Sequence, residues 1–356
     1  MTEMQNTEPM VVVNHLKKYF NTRRGLLHAV DDVSFFVNRG ETLGLVGESG
    51  CGKSTLGRAM IRLLEPTSGE VKFWGRDIVG MSKGEMKEMR KKVQIVFQDP
   101  YSCLNPRLSV SELIAEPLIV NKICSSRKEM DERIAKLMDT VGLARRLTGA
   151  YPHELDGGRR QRIGIARSLA LEPEFIVLDE PVSALDVCIQ AQVLNLLKQL
   201  QKENNYTYVF ISHNLSVVKH LSDRIAVMYL GNIVELTDKK TIFKDPRHPY
   251  TVALLSSIPT TDPGSADKER IILEGSIPSP VNPPDGCKFC TRCYMATEKC
   301  RRVTPELVEI EPGHFCACHY PERKLGENGE YLFEIKKSTK TIAAENDAKA
   351  AAQAQE

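Results

Sequence analysis

Residues 42–54, TLGLVGESGCGKS, are the strongest indicator of the fold in this chain of 356 residues. The apolar stretch at 42–46 predicts a buried strand, and GESGCGKS fits the pattern G-x-x-x-x-G-K-[ST]. The next residues, TLGRAMIRLL, predict a helix. A strand, a glycine-rich turn and a helix in this order indicate a loop that wraps the phosphates of a nucleoside triphosphate.

The side chains of this loop suit that chemistry. Its glycines allow the backbone to approach phosphate oxygens closely. Lys53 is expected to place its ammonium against the β- and γ-phosphates, and Ser54 to offer its hydroxyl to Mg²⁺. The residues expected to bind nucleotide are Gly47, Glu48, Ser49, Gly50, Cys51, Gly52, Lys53, Ser54 and Thr55. The loop alone does not distinguish kinases, GTPases and ATPases.

Polar residues follow three other apolar stretches that predict strands. FIVLDE ends in Asp179, which suits holding Mg²⁺ through water, and Glu180, which suits polarising an attacking water. His213 follows YVFIS, and Gln98 follows QIVF, so both are expected at the same sheet edge, facing the γ-phosphate, the metal and the water. The alternative is that the two acids are solvated caps of a strand and that the histidine is structural.

Strands at 11–16, 42–46, 94–97, 175–178 and 208–211 alternate with helical stretches. This alternation predicts an α/β fold with a mostly parallel sheet covered by helices. A long helical stretch between the third and fourth strands interrupts the alternation and predicts an inserted helical subdomain.

The composition is that of an ordinary folded protein, with 42% apolar and 26% charged residues. A net charge of +2 gives no basis for nucleic-acid binding. No stretch approaches the ~18–20 apolar residues that span a bilayer, and MTEMQNTEPM lacks the features of a signal peptide. We expect a cytoplasmic protein that other chains hold at any membrane.

The segment YPHELDGGRRQRIGIARSLALEP at 151–173 resembles the signature motif of ABC-transporter ATPases, whose usual core is L-S-G-G-Q. Gln98, this signature segment, FIVLDE, SALD at 183–186 and His213 follow in the order of that family's Q-loop, signature, Walker B, D-loop and H-switch. The resemblance covers roughly residues 10–240.

This resemblance implies a P-loop NTPase fold, namely an ABC-type nucleotide-binding domain over residues 1–245. It implies a RecA-like core and a helical subdomain at about 99–170. It also implies hydrolysis of ATP with the catalytic residues Glu180, His213 and Gln98, and Mg²⁺ held by Ser54, Gln98 and Asp179. Further nucleotide-binding residues that it implies are Phe20, Leu155, Asp156, Gly157, Gly158 and Asp186.

The family works as a dimer in which each ATP lies between one subunit's phosphate loop and the other's signature. Phe20, in LKKYF, is predicted to stack on adenine; Tyr19 and a plain core aromatic are the alternatives. Asp156 stands where the family usually has Ser, and Arg159 where it has Gln. An ionised aspartate cannot donate to the γ-phosphate and repels it. We hypothesise a heterodimer whose site using this signature hydrolyses ATP more weakly.

Four stretches resemble the oligopeptide and dipeptide importer ATPases, particularly the F-type subunit that works beside a D-type ATPase. They are GESGCGKST, FQDPYSCLNPR at 97–107, LDEPVSALDVCIQAQVLNLL at 178–197 and PRHPYTVALLSSIP at 246–259. The resemblance implies two transmembrane permease subunits, an extracytoplasmic substrate-binding protein and a peripheral position on the cytoplasmic face of the membrane. Alternatives are import of nickel, glutathione or oligosaccharide, a nearly silent regulatory ATPase subunit, and a soluble ABC protein of DNA repair or translation.

The proline-rich region and a cysteine module resemble that subfamily's C-terminal extension, here 246–335, and 336–356 read as a disordered tail. In a reducing cytoplasm, crowded cysteines favour metal binding over disulfides. Cys287, Cys293, Cys300 and Cys318 match the four that hold a [4Fe–4S] cluster in some members of the family. Cys290 is an alternative ligand in C-x₂-C-x₂-C. Zinc is another possibility, with reduced thiols a third; the further zinc ligands are Cys316, His314 and His319.

Overall fold

The computed structural model describes residues 9–258, 271–273, 275–321 and 337–338. The chain divides into two compact units, Met1–Gly80 with His213–Glu356, and Met81–Ser212. Both contain strands and helices, so the expected α/β class is confirmed. Among the described residues, no helix combines the length and the apolarity that a membrane span requires.

The strands in chain order are β1 Pro9–Thr22, β2 Gly25–Asn38, β3 Thr42–Val46, β4 Ser68–Phe73, β5 Arg76–Asp77, β6 Val93–Val96, β7 Phe175–Asp179, β8 Thr207–Ile211, β9 Arg224–Tyr229, β10 Asn232–Asp238, β11 Val308–Glu311, β12 His314–Cys316 and β13 Lys337–Ser338. The helices are α1 Lys53–Met60, α2 Lys83–Lys92, α3 Pro100–Cys103, α4 Val110–Val120, α5 Arg127–Thr140, α6 Gly157–Leu169, α7 Val187–Asn204, α8 Leu215–Leu221, α9 Lys239–Lys244, α10 Pro249–Ser256 and α11 Glu298–Arg302. Short 3₁₀ helices cover Arg145–Leu147 and Pro152–Glu154.

The first unit holds an antiparallel sheet and a mixed sheet. In the antiparallel sheet the order is β2-β1-β4-β5. In the mixed sheet β3 pairs with β9 in parallel, and β10, β12, β11 and β13 follow in antiparallel pairs. A tight turn at Leu230 and Gly231, both with positive φ, joins β9 to β10. Two strands joined by such a turn are antiparallel, so this part of the sheet differs from the parallel arrangement that the sequence predicts.

The second unit, Met81–Ser212, holds three parallel strands with β7 between β6 and β8. The residues of β7 and β8 are buried throughout, as their continuous apolar sequences predict. Helices α3 to α6 follow β6, in the stretch predicted to be an inserted helical subdomain. Ser109 and Glu112 form a capping box at the start of α4, which fixes where that helix begins.

The predicted strand at 42–46 is confirmed as β3. The strands predicted at 94–97, 175–178 and 208–211 are confirmed to within one residue as β6, β7 and β8. The strand predicted at 11–16 lies inside β1, which is longer. The antiparallel sheet around β1 was not predicted. The proposed disordered tail at 336–356 lies outside the described residues, apart from β13.

The residues predicted as a separate C-terminal extension share the first unit with the phosphate loop. β12 extends the sheet at β10, with Cys316 opposite Glu235. Glu235 is fully buried and its carboxylate accepts from the amides of Arg247 and His248, at 2.7 and 2.9 Å. His314 Nε2 lies 2.8 Å from the same carboxylate. Burial opposes ionisation, but these hydrogen bonds prevail and lower the pKa of Glu235.

Candidate functional site

The phosphate loop (residues 47–55) leads from the end of β3 into α1. Gly47, Gly50 and Gly52 adopt positive φ angles of 154°, 80° and 107°. A Cβ atom would lie 2.1 Å from the Met228 carbonyl oxygen if added to Gly47, and 2.1 Å from that of Ala29 if added to Gly52. These two positions therefore require glycine both for conformation and for space.

Lys53, the first residue of α1, is only 4% exposed. Its ammonium donates to the carbonyl oxygens of Gly47 and Glu48, each at 2.9 Å. The N-cap residue of α1 is Gly52, which offers no side chain to the first-turn amides. An ammonium held beside the amide end of a helix is a combination that binds phosphate.

Glu48 connects the loop to residues that the sequence did not single out. Its amide donates to the hydroxyl of Tyr250, at 2.9 Å. Its carboxylate accepts from both terminal nitrogens of Arg292, at 2.9 and 3.2 Å. No local sequence signal predicts these contacts, because the partners lie more than 200 positions away. Of the other loop residues, Ser49 is exposed, and Ser54 and Thr55 are partly buried in the first turn of α1.

The two aromatic residues proposed for adenine stacking, Tyr19 and Phe20, are consecutive residues near the end of β1. The Tyr19 hydroxyl donates to Asp31, and its ring centroid lies 4.2 Å from that of His28. Burial and the bond to Asp31 raise the pKa of Tyr19, so it stays protonated. The ammonium of Lys18 lies over the Phe20 ring, 4.8 Å from the ring centroid. The choice of Phe20 stays a prediction.

In the second unit, two of the predicted catalytic residues, Gln98 and Glu180, form a hydrogen bond with each other. Asp179 ends β7 and is 0% exposed, and Glu180 follows it in a left-handed conformation with φ of 47°. The Glu180 amide donates to the Ile211 carbonyl, at 3.0 Å. The Gln98 side-chain amide donates to the Glu180 carboxylate, also at 3.0 Å. A non-glycine residue held at positive φ is strained, and such strain concentrates at functional sites.

The signature segment begins α6 with Asp156 as its N-cap. The Asp156 carboxylate accepts from the Arg159 amide at 2.8 Å, and the Arg159 guanidinium lies 3.5 Å from it. The two departures from the family pattern are therefore partners, and the arginine offsets the charge that the aspartate adds. Leu155, just before them, is buried.

The signature glycines pack against the start of α7 within the second unit. A Cβ atom on Gly157 would lie 3.0 Å from Leu185, and one on Gly158 would lie 2.5 Å from Ile189. Asp186 caps α7 by accepting from the Ile189 amide at 3.0 Å. The D-loop and the signature thus support each other, and glycine is required at 158 for space.

His213 is the second residue after β8 and is exposed. The next residue, Asn214, caps α8 by accepting from the Ser216 amide at 3.0 Å. The cap fixes the backbone that follows His213. The catalytic role of His213 stays a prediction.

Five cysteines of the C-terminal module line one small cavity: Cys287, Cys290, Cys293, Cys300 and Cys318. All ten cysteines of the chain are free thiols, so disulfides do not explain the cluster. Burial raises the pKa of Cys287 and of Cys318 to about 12, and that of Cys293 to about 11. Without a bound metal, the thiols of Cys287, Cys293 and Cys318 are therefore neutral at physiological pH.

Of the further residues of the zinc alternative, Cys316 and His314 are engaged elsewhere, whereas His319 lines the same cavity as the five cysteines. Cys316 is buried with Val308 and Ile310. His314 is paired with Glu235, and His319 Nε2 lies 2.9 Å from the Val303 carbonyl oxygen. Within the part of the chain that the structure describes, no group of three or more His, Cys, Asp or Glu is arranged to hold a metal ion. The contacts of Cys316 and His314 weigh against these two residues as zinc ligands, and the absence of a preformed group applies to an iron–sulfur cluster as much as to zinc.

The chain is similar to known ATP-binding proteins of transporters. The family model "ABC transporter" matches residues 30–183, and "Oligopeptide/dipeptide transporter, C-terminal region" matches residues 234–300. The oligopeptide transport ATP-binding protein AppF of Bacillus subtilis (strain 168) is 53% identical over 323 residues, covering 88% of this chain and 98% of AppF. The putative oligopeptide transport ATP-binding protein YkfD of the same organism is 53% identical over 313 residues, covering 87% of this chain and 95% of YkfD.

A solved structure is also similar. The dimeric ATP-binding cassette MJ0796, in a post-hydrolysis state bound to ADP and Pi, is 30% identical with a TM-score of 0.60. The match covers 65% of this chain and 99% of that one.

Proposed function

Because the chain belongs to the ABC transporter family, among the ATP-binding proteins of oligopeptide transport, we propose that it hydrolyses ATP to power peptide import through a membrane transporter. The observation that carries this proposal is the 53% identity to AppF over 98% of that protein's length. The match to the C-terminal region of oligopeptide and dipeptide transporters supports it. The test is whether peptide stimulates ATP turnover by the assembled transporter, and whether replacing Lys53 or Glu180 removes that turnover.

We assign the chemistry to the residues as follows. Lys53 and the amides of the phosphate loop bind the phosphates, and Phe20 stacks on the adenine. Ser54, Gln98 and Asp179 hold Mg²⁺, which neutralises charge on the phosphate oxygens. Glu180 polarises the attacking water, and the hydrogen bond from Gln98 supports this role by orienting its carboxylate. The remaining assignments are His213 to the γ-phosphate, and Leu155, Asp156, Gly157, Gly158 and Asp186 to a nucleotide held by a partner subunit.

The proposed assembly contains a second ATPase subunit, two transmembrane permease subunits and an extracytoplasmic binding protein, with this chain on the cytoplasmic face. The dimeric state of MJ0796 supports a second ATPase subunit. Exposed Tyr101 in α3 and exposed Ile119 and Val120 in α4 are available for contact with a membrane partner. Nickel, glutathione and oligosaccharide remain the alternative cargoes, and their failure to stimulate turnover would separate them from peptide.

Replacing Asp156 with Ser tests the proposed inequality of the two ATP sites. We propose that the site using this signature turns over more slowly, because an ionised aspartate cannot donate to the γ-phosphate. In a heterodimer with a distinct partner, Asp156→Ser together with Arg159→Gln is expected to raise turnover at this site several-fold, of the order of one hydrogen bond.

The readout is single-turnover hydrolysis with the other site disabled by replacing this chain's own Glu180. Equal turnover at the two sites of the unmodified heterodimer would refute the inequality. Unchanged inequality in the double variant would remove Asp156 as its cause.

We also propose a [4Fe–4S] cluster held by Cys287, Cys293, Cys300 and Cys318. Their shared cavity and the chemistry of thiolates support it. A cluster would also offset the cost of ionising thiols whose pKa values burial has raised. We assign such a cluster a structural role.

Anaerobically purified chain is expected to contain about four iron atoms and the visible absorbance of an iron–sulfur centre. Cys287→Ser should lose both, whereas Cys316→Ser should keep both, because Cys316 lies outside the cavity. Iron-free, colourless protein from an anaerobic preparation contradicts the cluster. If Cys290→Ser loses iron and Cys318→Ser keeps it, the alternative ligand set is correct.

A further inference from the structure

Arg292 of the C-terminal extension forms an ion pair with Glu48 of the phosphate loop. Both terminal nitrogens of its guanidinium bond to the two carboxylate oxygens, at 2.9 and 3.2 Å. The Arg292 side chain is 8% exposed and that of Glu48 25%, so water screens this pair weakly. The pairing with Glu48 raises the pKa of Arg292 above its ordinary value. A two-pronged pair of this kind sets orientation as well as distance.

A second contact holds the backbone of the same residue. The Glu48 amide donates to the hydroxyl of Tyr250, which is 0% exposed. Burial raises the pKa of Tyr250, so the hydroxyl stays neutral. The Tyr250 ring packs against Tyr229 and Phe289, with centroids 4.7 and 5.4 Å away. The aromatic packing fixes the position of the hydroxyl that the loop bonds to.

The anchored residue is also the one that holds the phosphate-loop lysine. The carbonyl oxygen of Glu48 accepts from the Lys53 ammonium at 2.9 Å. Glu48 therefore has its side chain fixed by Arg292, its amide by Tyr250 and its carbonyl engaged by Lys53. A shift of Glu48 would therefore move the carbonyl oxygen that accepts from the Lys53 ammonium.

The segment that supplies Arg292 has a backbone held by turns. The Arg292 amide donates to the Phe289 carbonyl at 3.0 Å, and the Cys287 amide to the Cys300 carbonyl at 2.8 Å. Phe289 is buried beside His248, with ring centroids 5.7 Å apart. Arg292 thus extends from a fixed base, which a positioning contact requires.

We propose that the C-terminal extension is a positioning element of the nucleotide site, acting through Arg292 and Tyr250 on Glu48. It rests on the assignment of residues 47–55 as the phosphate loop. The two residues do not touch the nucleotide; they hold the loop in the conformation that receives phosphate. A loop ordered in advance binds more tightly, because less conformational entropy is lost on binding.

The test replaces Arg292 with Gln in the full-length chain and measures its affinity for a fluorescent ATP analogue. We expect binding weakened about tenfold, the order of a charge-assisted hydrogen bond, and KM raised with kcat at saturating ATP nearly unchanged. Arg292→Lys should recover only part of the affinity, since lysine cannot make the two-pronged contact. Tyr250→Phe should weaken binding less, because it loses one neutral acceptor.

Arg302→Gln is the matched control. Arg302 pairs with Glu298 at 2.8 Å in the same module, but the pair is exposed and lies within α11. This variant is expected to bind ATP as the unmodified chain does. Thermal unfolding of each variant separates loss of fold from loss of affinity.

A double-mutant cycle with Glu48→Gln tests the route of the effect. If Arg292 acts through Glu48, adding Arg292→Gln to Glu48→Gln weakens ATP binding little further. Additive losses, unchanged affinity of a folded Arg292→Gln chain, or a lowered melting temperature with unchanged affinity would each overturn the proposal. Lys53→Ala, measured alongside, reports separately on the phosphate-loop assignment: if it binds ATP normally, that assignment fails instead.

Discussion

Glu180→Gln is expected to lower kcat for ATP hydrolysis about 10²–10⁴-fold, the usual contribution of a general base, while ATP binding persists. The carboxylate follows buried Asp179 in a left-handed conformation and accepts from the Gln98 amide, so its direction is fixed. Glutamine keeps the size of the side chain but cannot take up a proton. The change should therefore affect hydrolysis rather than affinity.

Glu172→Gln provides the control for that measurement. Glu172 is also a glutamate of the second unit at positive φ, but it is exposed. Its replacement should leave turnover within about twofold, because a substitution at an exposed position usually changes the stability of the fold by no more than ~0.5 kcal/mol. If the Glu180→Gln chain keeps more than about a tenth of normal turnover, Glu180 is not the base.

Lys53→Ala is expected to weaken ATP binding by about a hundredfold or more, which corresponds to a charge-assisted contact with phosphate. Lys53 is buried and its ammonium already sits on the carbonyls of Gly47 and Glu48, so it needs little ordering to bind phosphate. Equilibrium binding of labelled ATP measures the loss, with a melting curve to verify the fold.

Lys72→Ala is the matched control, because Lys72 lies on β4, outside the phosphate loop. Its ammonium forms a partly exposed ion pair with Glu70, at 3.3 Å. It should bind ATP normally. Normal binding by Lys53→Ala itself would show that residues 47–55 do not form the phosphate site.

The strands nearest the predicted chemistry could be predicted because their sequences are continuous apolar runs bounded by polar residues. β3, β7 and β8 are buried over their whole length, so no face pattern had to be resolved. β2 was missed because Asp31 and Asp32 interrupt it and its pairing with β1 shifts register several times. Such irregular edges carry no clean two-residue period.

The site was predictable where residues are close along the chain and not where they are remote. The pairing of Asp156 with Arg159 follows from their spacing of three on a helix, a signal that could have been read from the sequence. The contact of Gln98 with Glu180 was anticipated only as two residues at one sheet edge. Nothing local predicts that Arg292 or Tyr250 reaches Glu48, since those contacts arise from packing of the C-terminal extension.

The central claim is that ATP cleavage by this chain drives peptide across a membrane. The most direct measurement reconstitutes the chain with its second ATPase, permease subunits and binding protein in vesicles, and follows ATP cleavage and labelled-peptide uptake together. We predict uptake that requires ATP and disappears with Lys53→Ala or Glu180→Gln in this chain. Uptake unaffected by those variants, or a complete assembly that neither binds nor cleaves ATP, would contradict the account.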